Sequence, residues 1–582
     1  MKDKSFSLDE EERVAATKSL DAGLATQNLN DPPERKAAIY NAFEARDARF
    51  DGRVYAAVSS TGVYCRPVCP YHAKIDNITF FASAAEAEAA GYRPCLVCRP
   101  ETAPGLSAAD ARANLARRAA SLIREECTTG DSLARLSTRL GYTDRHVRRV
   151  FEEEYGVTPM RFLSTCRCSL AKSLLADTDL PISQVALAAG FKSTRRFNDA
   201  FKEHYGLVPS SQRRLSRSRG RGSKTPGTSI KLKLGYRPPF RFCELLSFFR
   251  SRAIAGVELV DESSYARCVR IQLDDGKEAC GWLRITDDAT HNALVLSMSE
   301  SLLAATSIVV ARIRRMFDLD CEPAVIHESL MPLEKVRPGA NAVGMRLPGC
   351  FDSFETCCRA VLGQQVSVVA ANKLAARVAE ILGTQVETGI EGLNRAWPTP
   401  AEVLALDDIS DALGPLGVIR SRSTAIREIA HMMEAGDLHF DALADPVEQM
   451  DVLQSVKGIG PWTANYIAMR VLSYPDAFLE TDAGVAHALP DLTPKERLAA
   501  VEPCRPWRSY AVVGLWNSLA VQETSASDES ANTAMSKPDS PSKMKGEKES
   551  TARKSALSSR TRKKKTTTPK KRAAAKRDKS AQ

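Results

Sequence analysis

No stretch of this 582-residue chain is long and apolar enough to span a membrane, although 43% of its residues are hydrophobic. A transmembrane helix needs roughly 18 or more consecutive apolar residues, and no run approaches that length. The first twelve residues are highly charged and contain no signal-peptide core. We therefore expect a protein that stays in the cytoplasm and divides a large core among about three or four domains.

Fifteen cysteines in a chain without a signal sequence argue for reduced thiols that bind metal or react, before disulfides. Cys65 pairs with Cys69 and Cys95 with Cys98, and 25 residues separate the two pairs. Four thiolates at this spacing predict a closed site for one Zn²⁺. From spacing alone, the simpler interpretation is a zinc knuckle that only holds a small domain together.

Positive charge is concentrated at the end of the chain, whose formal net charge is +10. From Lys537 onward there are 17 Lys or Arg residues and 4 Asp or Glu residues, so the preceding residues carry a net charge of −3. The segment 523–582 has no apolar periodicity. It is predicted to be a disordered basic tail that binds polyanions without sequence preference or serves only to keep the protein in solution.

A glycine hinge interrupts a helical pattern between residues 453 and 466. The first helix ends at Gly458-Ile459-Gly460, and Pro461 suits the first turn of the next helix, where its missing N–H has no partner to lose. Such a hinge lets the backbone approach a DNA phosphate, towards which the second helix aims its free N–H groups. By itself, however, the Gly-x-Gly pattern also fits an ordinary turn.

Further motifs connect this hairpin with a known family: the lone acid Asp482, segments 346–355, 361–367 and 506–511, and Trp516. Together they resemble DNA glycosylases of the helix-hairpin-helix superfamily, and most closely the AlkA type, DNA-3-methyladenine glycosylase II. The resemblance covers residues 229 to 522. It implies an α+β lobe at 229–340 followed by an all-α helix-hairpin-helix glycosylase domain at 341–522.

The resemblance also implies roles for single residues: Asp482 is catalytic, the base lies in a cleft of Trp462, Tyr466 and Trp516, and Gly458, Ile459, Gly460 and Gln365 contact DNA. Gln365 stands where the best-known form of the family inserts a leucine into the vacated base stack. Without the family, the aromatic residues would be assigned to core packing and Asp482 to a helix cap.

Two missing features narrow the expected chemistry. Superfamily members that also cut the DNA backbone carry a lysine nucleophile where this chain has Trp462, so the resemblance implies a monofunctional glycosylase. The iron–sulfur loop of endonuclease III relatives needs four thiolates, whereas only Cys504 follows Asp482. Cys504 lies within the segment that resembles the glycosylase, in a Pro-Cys-Arg-Pro sequence only superficially similar to a methyl-acceptor motif, and is expected to be structural.

The segments 50–67 and 90–100, which contain the two cysteine pairs, closely resemble the amino-terminal domain of Ada, the bacterial alkylation-response regulator. The resemblance implies a small α/β zinc domain at 36–104, after a flexible leader at 1–35. It also implies that Cys65 accepts a methyl group from a DNA methylphosphotriester, while Cys69, Cys95 and Cys98 complete the zinc shell. Zinc keeps such a sulfur as the thiolate at neutral pH.

An internal repeat with an offset of 49 to 50 residues relates segment 132–159 to segment 181–209. Each copy reads as a helix-turn-helix, with recognition helices that begin near Asp144 and Thr194. A helical bundle with a solvated charged face is the alternative. Two copies resemble the AraC DNA-binding domain, predicted at 107–215 before a flexible linker at 216–228. The candidates for DNA contact are Arg145, His146, Arg148, Arg149, Arg195, Arg196 and Asn198.

The chain therefore resembles an Ada–AlkA fusion with a multidomain fold. The expected function is excision of alkylated bases combined with methylphosphotriester-sensing transcription regulation. Its expected partners are double-stranded DNA and RNA polymerase, and we expect a nucleoid-associated monomer, or a nuclear one if the source is eukaryotic. Two alternatives stay open: a regulator whose glycosylase domain only holds DNA, and an enzyme whose front half is merely a tether.

Overall fold

The computed structural model of the protein describes residues 29–30, 32–47, 50–71, 73–100, 103, 115–127, 133–218, 229–273, 276–441 and 444–519. The basic tail predicted at 523–582 lies outside these residues, as do most of the leader 1–35 and most of the linker 216–228. Within the described ranges, no helix combines the length and the apolar character needed to cross a membrane. The domain boundaries given above stay predictions.

Short strands and helices form the zinc domain: α1 (Pro33–Glu44), β1 (Tyr55–Val58), β2 (Val63–Cys65), β3 (Ile78–Phe81), α2 (Ala84–Ala89) and β4 (Arg93–Pro94). The strand order is β3-β1-β2-β4, and β4 runs parallel to β2 while the other pairs are antiparallel. This pairing brings the two cysteine pairs together, because Cys65 ends β2 and Cys95 follows β4.

The second domain is helical: α3 (Leu115–Glu125), α4 (Leu133–Leu140), α5 (Asp144–Tyr155), α6 (Pro159–Asp177), α7 (Ile182–Ala188), α8 (Thr194–Tyr205) and α9 (Pro209–Ser218). The recognition helices α5 and α8 begin at the predicted residues. Thr143 and Ser193 cap them with side-chain oxygens, and each helix ends at a glycine with positive φ, Gly156 or Gly206.

An antiparallel sheet with order β5-β9-β8-β7-β6 organises the predicted α+β lobe. Its elements are β5 (Ser229–Gly235), α10 (Phe242–Arg250), β6 (Glu258–Val260), β7 (Ser264–Gln272), β8 (Glu278–Asp288), β9 (Ala293–Ser299), α11 (Thr306–Met316), α12 (Pro323–Ser329) and α13 (Met331–Val336). Along β8 buried residues alternate with more exposed ones, as expected for a strand with one face on the core.

Helices dominate the last described domain, and a two-residue strand pair that the sequence did not predict interrupts them. The elements are α14 (Ser353–Leu362), α15 (Val368–Leu382), β10 (Thr384–Gln385), β11 (Arg395–Ala396), α16 (Pro400–Leu404), α17 (Ile409–Leu413), α18 (Arg420–Ala435), α19 (Pro446–Ser455), α20 (Pro461–Val471), α21 (Ala483–Ala488), α22 (Pro494–Val501) and α23 (508–519).

The helix-turn-helix domain and the α+β lobe share one hydrophobic core. Leu174 on α6 and Phe201 on α8 belong to the same buried cluster as Ile230 on β5 and Phe249 on α10. An ion pair adds to this contact: Arg315 lies 2.9 Å from Glu125. The contact is made chiefly by α6, which packs against β5, so apolar residues of the two domains are buried together.

Candidate active site and zinc centre

The carboxylate of Asp482 caps a helix and lies between two indoles. Its Oδ1 accepts a hydrogen bond of 3.0 Å from the Val485 backbone N–H and one of 2.8 Å from Trp516 Nε1. Its Oδ2 accepts a longer bond of 3.3 Å from Trp462 Nε1. Asp482 is thus a helix cap, as the alternative interpretation of the sequence proposed. These hydrogen bonds hold the half-buried carboxylate in one orientation beside two of the predicted cleft aromatics.

Gly484 makes room for this arrangement. A Cβ at this position would lie 2.6 Å from Trp516 Cδ1 and 3.1 Å from Asp482 Oδ1. A side chain there would push the indole away from the carboxylate, since real Cβ atoms do not approach other atoms so closely. The glycine in the first turn of α21 therefore permits the close contact between Asp482 and Trp516.

Trp462 and Tyr466, one turn apart on α20, stack with ring centroids 5.2 Å apart and an angle of 8° between their planes. Both are partly buried. The Tyr466 hydroxyl accepts a 2.7 Å hydrogen bond from Arg470 Nη1. Burial opposes ionisation of the phenol, but the nearby guanidinium groups of Arg470, Arg252 and Arg359 outweigh it and lower the pKa of Tyr466.

Two further residues of this cleft, Phe248 and Arg252, come from the α+β lobe and were missed from the sequence. The Phe248 ring stacks on Trp516 with centroids 5.9 Å apart. The Arg252 guanidinium lies over the Phe248 ring at 3.9 Å and over the Trp516 ring at 5.8 Å. Only the tertiary packing of α10 against α23 shows that they belong to the cleft. The apolar pattern of α10 predicts that one face of this helix is buried, but not against which residues.

The helix-hairpin-helix has the predicted form. Gly458 has φ +97°, Ile459 is buried, and Gly460 precedes α20 without a side-chain cap. A Cβ at Gly460 would meet nothing within 4 Å, and its φ of −97° suits any residue. Nothing inside the described part of the protein requires glycine at 460.

Gln365 lies exposed at the tip of the loop between α14 and α15, in the left-handed region with φ +54°. Its neighbour Gln364 ties this loop to the hairpin. Gln364 Nε2 donates to the Gly458 carbonyl at 2.9 Å and to Thr463 Oγ1 at 3.1 Å. The predicted wedge residue and the hairpin therefore belong to one surface.

The four predicted metal ligands Cys65, Cys69, Cys95 and Cys98 converge, with all sulfur atoms within 4.8 Å of one another. Cys69 and Cys95 are buried, whereas Cys65 and Cys98 are half-buried. Backbone N–H groups point at two of the sulfurs: that of Arg66 at Cys98 Sγ, 3.4 Å away, and that of Val97 at Cys95 Sγ, 3.3 Å away. N–H groups in this position suit metal-bound thiolates, so the donor set fits zinc.

Buried polar contacts join the zinc domain to the helix-turn-helix domain. Glu88 accepts hydrogen bonds from Tyr64, next to Cys65, at 2.9 Å and from Thr165 on α6 at 2.7 Å, and it lies 2.6 Å from His204 on α8. Lys172 on α6 is fully buried, and its Nζ donates to the Cys95 carbonyl at 3.1 Å. The zinc site is thus linked to the second recognition helix through Tyr64 and Glu88, and to α6 through Lys172.

The predicted groove residues lie on the outer faces of the recognition helices. Exposed side chains are those of Arg145, Arg148 and Arg149 on α5 and Arg195, Arg196 and Asn198 on α8, while His146 is partly buried. His146 stacks on the exposed ring of Tyr142 with centroids 5.1 Å apart. Neither helix face is covered by the zinc domain or the lobe at these residues.

These features define a zinc-dependent helix-turn-helix protein joined to a helix-hairpin-helix domain with an acid-containing aromatic cleft. Residues 38–101 match the family described as the metal binding domain of Ada, 136–215 match a helix-turn-helix domain, and 231–352 match the AlkA N-terminal domain. Together with the sulfur geometry, the first match identifies one Zn²⁺ site with four cysteine ligands.

One similar protein, the probable bifunctional transcriptional activator/DNA repair enzyme AlkA of Mycobacterium tuberculosis, is 34% identical over 82% of this chain and 96% of its own length. The DNA-3-methyladenine glycosylase 2 of Escherichia coli is 35% identical, over 49% of this chain and 95% of its own. The bifunctional transcriptional activator/DNA repair enzyme Ada of Escherichia coli is 33% identical over 28% of this chain and 45% of its own length. This chain belongs to the family of bifunctional transcriptional activators and DNA repair enzymes of the AlkA type.

Proposed function

We propose that this protein hydrolyses the N-glycosidic bond of alkylated purines in duplex DNA, of the 3-methyladenine and 7-methylguanine class, without cutting the backbone. The single observation that carries the proposal is the Asp482 carboxylate, fixed by Trp516 and Val485 within an aromatic cleft next to the hairpin. Family membership supports it.

The reaction needs little acid catalysis, because alkylation at N3 of adenine or N7 of guanine makes the base cationic and a good leaving group. The hairpin and Gln365 hold the duplex while the nucleotide swings out. The faces of Trp462 and Tyr466 hold the base. Asp482 stabilises the positive charge that develops on the sugar and orients or deprotonates the attacking water.

Base release from methylated duplex DNA by the protein and by Asp482→Asn tests this proposal. Asparagine still caps α21, so the fold and DNA binding should persist while release falls at least about a hundredfold. Asp491→Asn, at an exposed site in the next loop, serves as the matched control and should keep full activity. No release by the unmutated protein would favour the alternative, a regulator whose cleft only holds DNA.

For the front half, we propose stoichiometric methyl transfer to Cys65 from a DNA methylphosphotriester. The sulfur attacks the methyl carbon, a C–S bond forms, the C–O bond breaks, and the phosphodiester anion leaves. The bound zinc would keep the sulfur in its thiolate form. Cys65 and Cys98 are both half-buried residues, so the choice of Cys65 as the acceptor rests on the Ada resemblance.

Methylation reduces the charge of the zinc site from −2 to −1, which weakens its repulsion of DNA phosphates. The contacts from Tyr64 through Glu88 to His204 support an effect on α8 as well. The methylated protein should therefore bind promoter DNA more tightly and, as a monomer on the nucleoid, recruit RNA polymerase.

Binding of the protein to random-sequence duplexes before and after exposure to methylphosphotriester DNA tests this regulation. Cys65→Ser removes the acceptor and should show no change on exposure, and Cys243→Ser, at an exposed cysteine in the lobe, is the control. Equal affinities of the methylated and unmethylated forms would overturn the regulatory proposal and leave the front half as a tether.

A further inference from the structure

Gln365, the predicted wedge, has a backbone conformation that its own contacts do not explain. Its φ of +54° lies in the left-handed region, which a residue with a Cβ keeps only where its surroundings hold it there. Yet Gln365 is exposed, and within the described part of the chain it makes no hydrogen bond of its own. The tip of this loop is therefore held through its neighbours.

The preceding residue, Gln364, connects the loop to three separate elements. Its side-chain Nε2 donates to the Gly458 carbonyl of the hairpin at 2.9 Å and to Thr463 Oγ1 on α20 at 3.1 Å. Its backbone carbonyl accepts a hydrogen bond from Arg422 Nη2 in the first turn of α18. That carbonyl belongs to the planar peptide unit between Gln364 and Gln365, so Arg422 fixes the plane from which the φ of Gln365 starts.

Arg422 differs in its contacts from Arg420, the other arginine in the first turn of α18. Arg422 is half-buried, and its guanidinium donates to the loop. The Arg420 side chain is 81% exposed, and its guanidinium lies 3.5 Å from the Asp408 carboxylate. The two residues have the same charge at the same helix end, but only Arg422 contacts the wedge loop.

We propose that Arg422 is a positioning residue that, together with the Gln364 amide, holds Gln365 ready to enter the base stack before DNA binds. This inference rests on the proposed glycosylase function. An amide gains less than leucine from burial between bases, so less free energy is left to order the loop on binding. Because the loop is already ordered, a polar side chain can fill the vacated space while the nucleotide lies in the cleft.

The fluorescence of 2-aminopurine placed beside a 7-methylguanine in a duplex measures base flipping, because the probe brightens when its neighbour leaves the stack. Every protein tested carries Asp482→Asn, so that the base is not released. Arg422→Met keeps the side-chain length and removes the donor. At saturating protein the ratio of flipped to stacked base should fall roughly five- to thirtyfold, whereas affinity for undamaged duplex should stay within about threefold.

Two further variants separate the hydrogen bond from the charge. Arg422→Lys keeps a donor and should restore the flipped-to-stacked ratio to within about threefold of the protein with arginine. Arg420→Met removes an exposed positive charge from the same helix end and should leave the ratio unchanged.

Gln364→Glu tests the same contacts from the loop side. An ionised carboxylate cannot donate to the Gly458 carbonyl, so this variant should also lower the flipped-to-stacked ratio. Combined with Arg422→Met it should cost less than the sum of the two single effects, because both residues hold Gln365.

An unchanged ratio in a folded Arg422→Met protein, or an equal loss in Arg420→Met, would overturn the positioning role. If Arg422→Met does not fold, Gln364→Glu decides alone, and unchanged flipping there overturns it. So would a damaged duplex whose probe does not brighten on binding the protein that retains Arg422. Failure of the glycosylase proposal is judged separately, by base release from methylated DNA by the unmutated protein.

Discussion

The indole of Trp516 occupies the space that a Cβ on Gly484 would need. Such a Cβ would lie 2.6 Å from Trp516 Cδ1 and 2.8 Å from Trp516 Nε1. That indole donates the shortest side-chain hydrogen bond to Asp482, at 2.8 Å. The orientation of the candidate catalytic carboxylate therefore depends on the absence of a side chain two residues further along the chain.

Gly484→Ala should consequently lower base release by at least about tenfold, because the methyl group displaces Trp516 from Asp482. Overpacking should also cost about 1–3 kcal/mol in the free energy of unfolding. Single-turnover release and urea denaturation measure the two effects. Gly414→Ala is the matched control, since a Cβ there meets open space at negative φ. Full activity of Gly484→Ala would show that the Trp516 contact is dispensable.

Gly460→Ala, unlike Gly484→Ala, should not destabilise the folded protein. Its Cβ meets no atom within 4 Å and its φ is negative, so the free energy of unfolding should stay the same or rise slightly. Affinity for duplex DNA should fall several-fold, because the methyl group keeps the backbone away from a phosphate. Fluorescence anisotropy with a duplex measures this affinity. Unchanged binding would mean that the hairpin does not meet DNA at this residue.

The lowered pKa of Tyr466 predicts a dependence of stability on pH. Burial opposes the shift, but Arg470, Arg252 and Arg359 prevail, so the folded protein loses this proton at a lower pH than the unfolded chain does. Between the two pKa values the unfolded state binds more protons, and stability therefore rises with pH up to the ordinary tyrosine pKa of 10.0. Below the folded-state pKa the contribution is lost.

Absorbance of tyrosinate near 295 nm should accordingly show one tyrosine of the folded protein ionising earlier than the others. The early phase should be missing from Tyr466→Phe and present in Tyr71→Phe, which changes an exposed tyrosine. Persistence of the early phase in Tyr466→Phe would assign it to another residue.

Removal of zinc should unfold the front of the protein. Without zinc the two cysteine pairs are no longer cross-linked, and the two clusters around Phe80 and Tyr64 are too small to hold the domain by themselves. We expect one zinc per chain, and a chelator should lower the melting temperature of the first transition while adding zinc back restores it. Base release should survive chelation, because the cleft contains none of the four cysteines. Loss of release would indicate that the lobe depends on the zinc domain.

Periodicity and motif spacing predicted much of the local structure. The strands near 266–273 and 293–298 and the starts of α5, α8 and α20 were all anticipated, because caps, glycine hinges and apolar repeats are local signals. The four cysteines were identified for the same reason, as metal chemistry imposes a spacing that the chain itself displays.

The sequence by itself determined which residues could carry chemistry: the thiolates, the acid at 482, and the hairpin. Tertiary structure alone decided how they are combined. Phe248 and Arg252, on and just after a helix more than 200 residues before Trp516, enter the cleft, and the buried contacts of Glu88 join the zinc site to a recognition helix. Such contacts form because apolar faces on separate domains must be buried together, and no local pattern records which faces will meet.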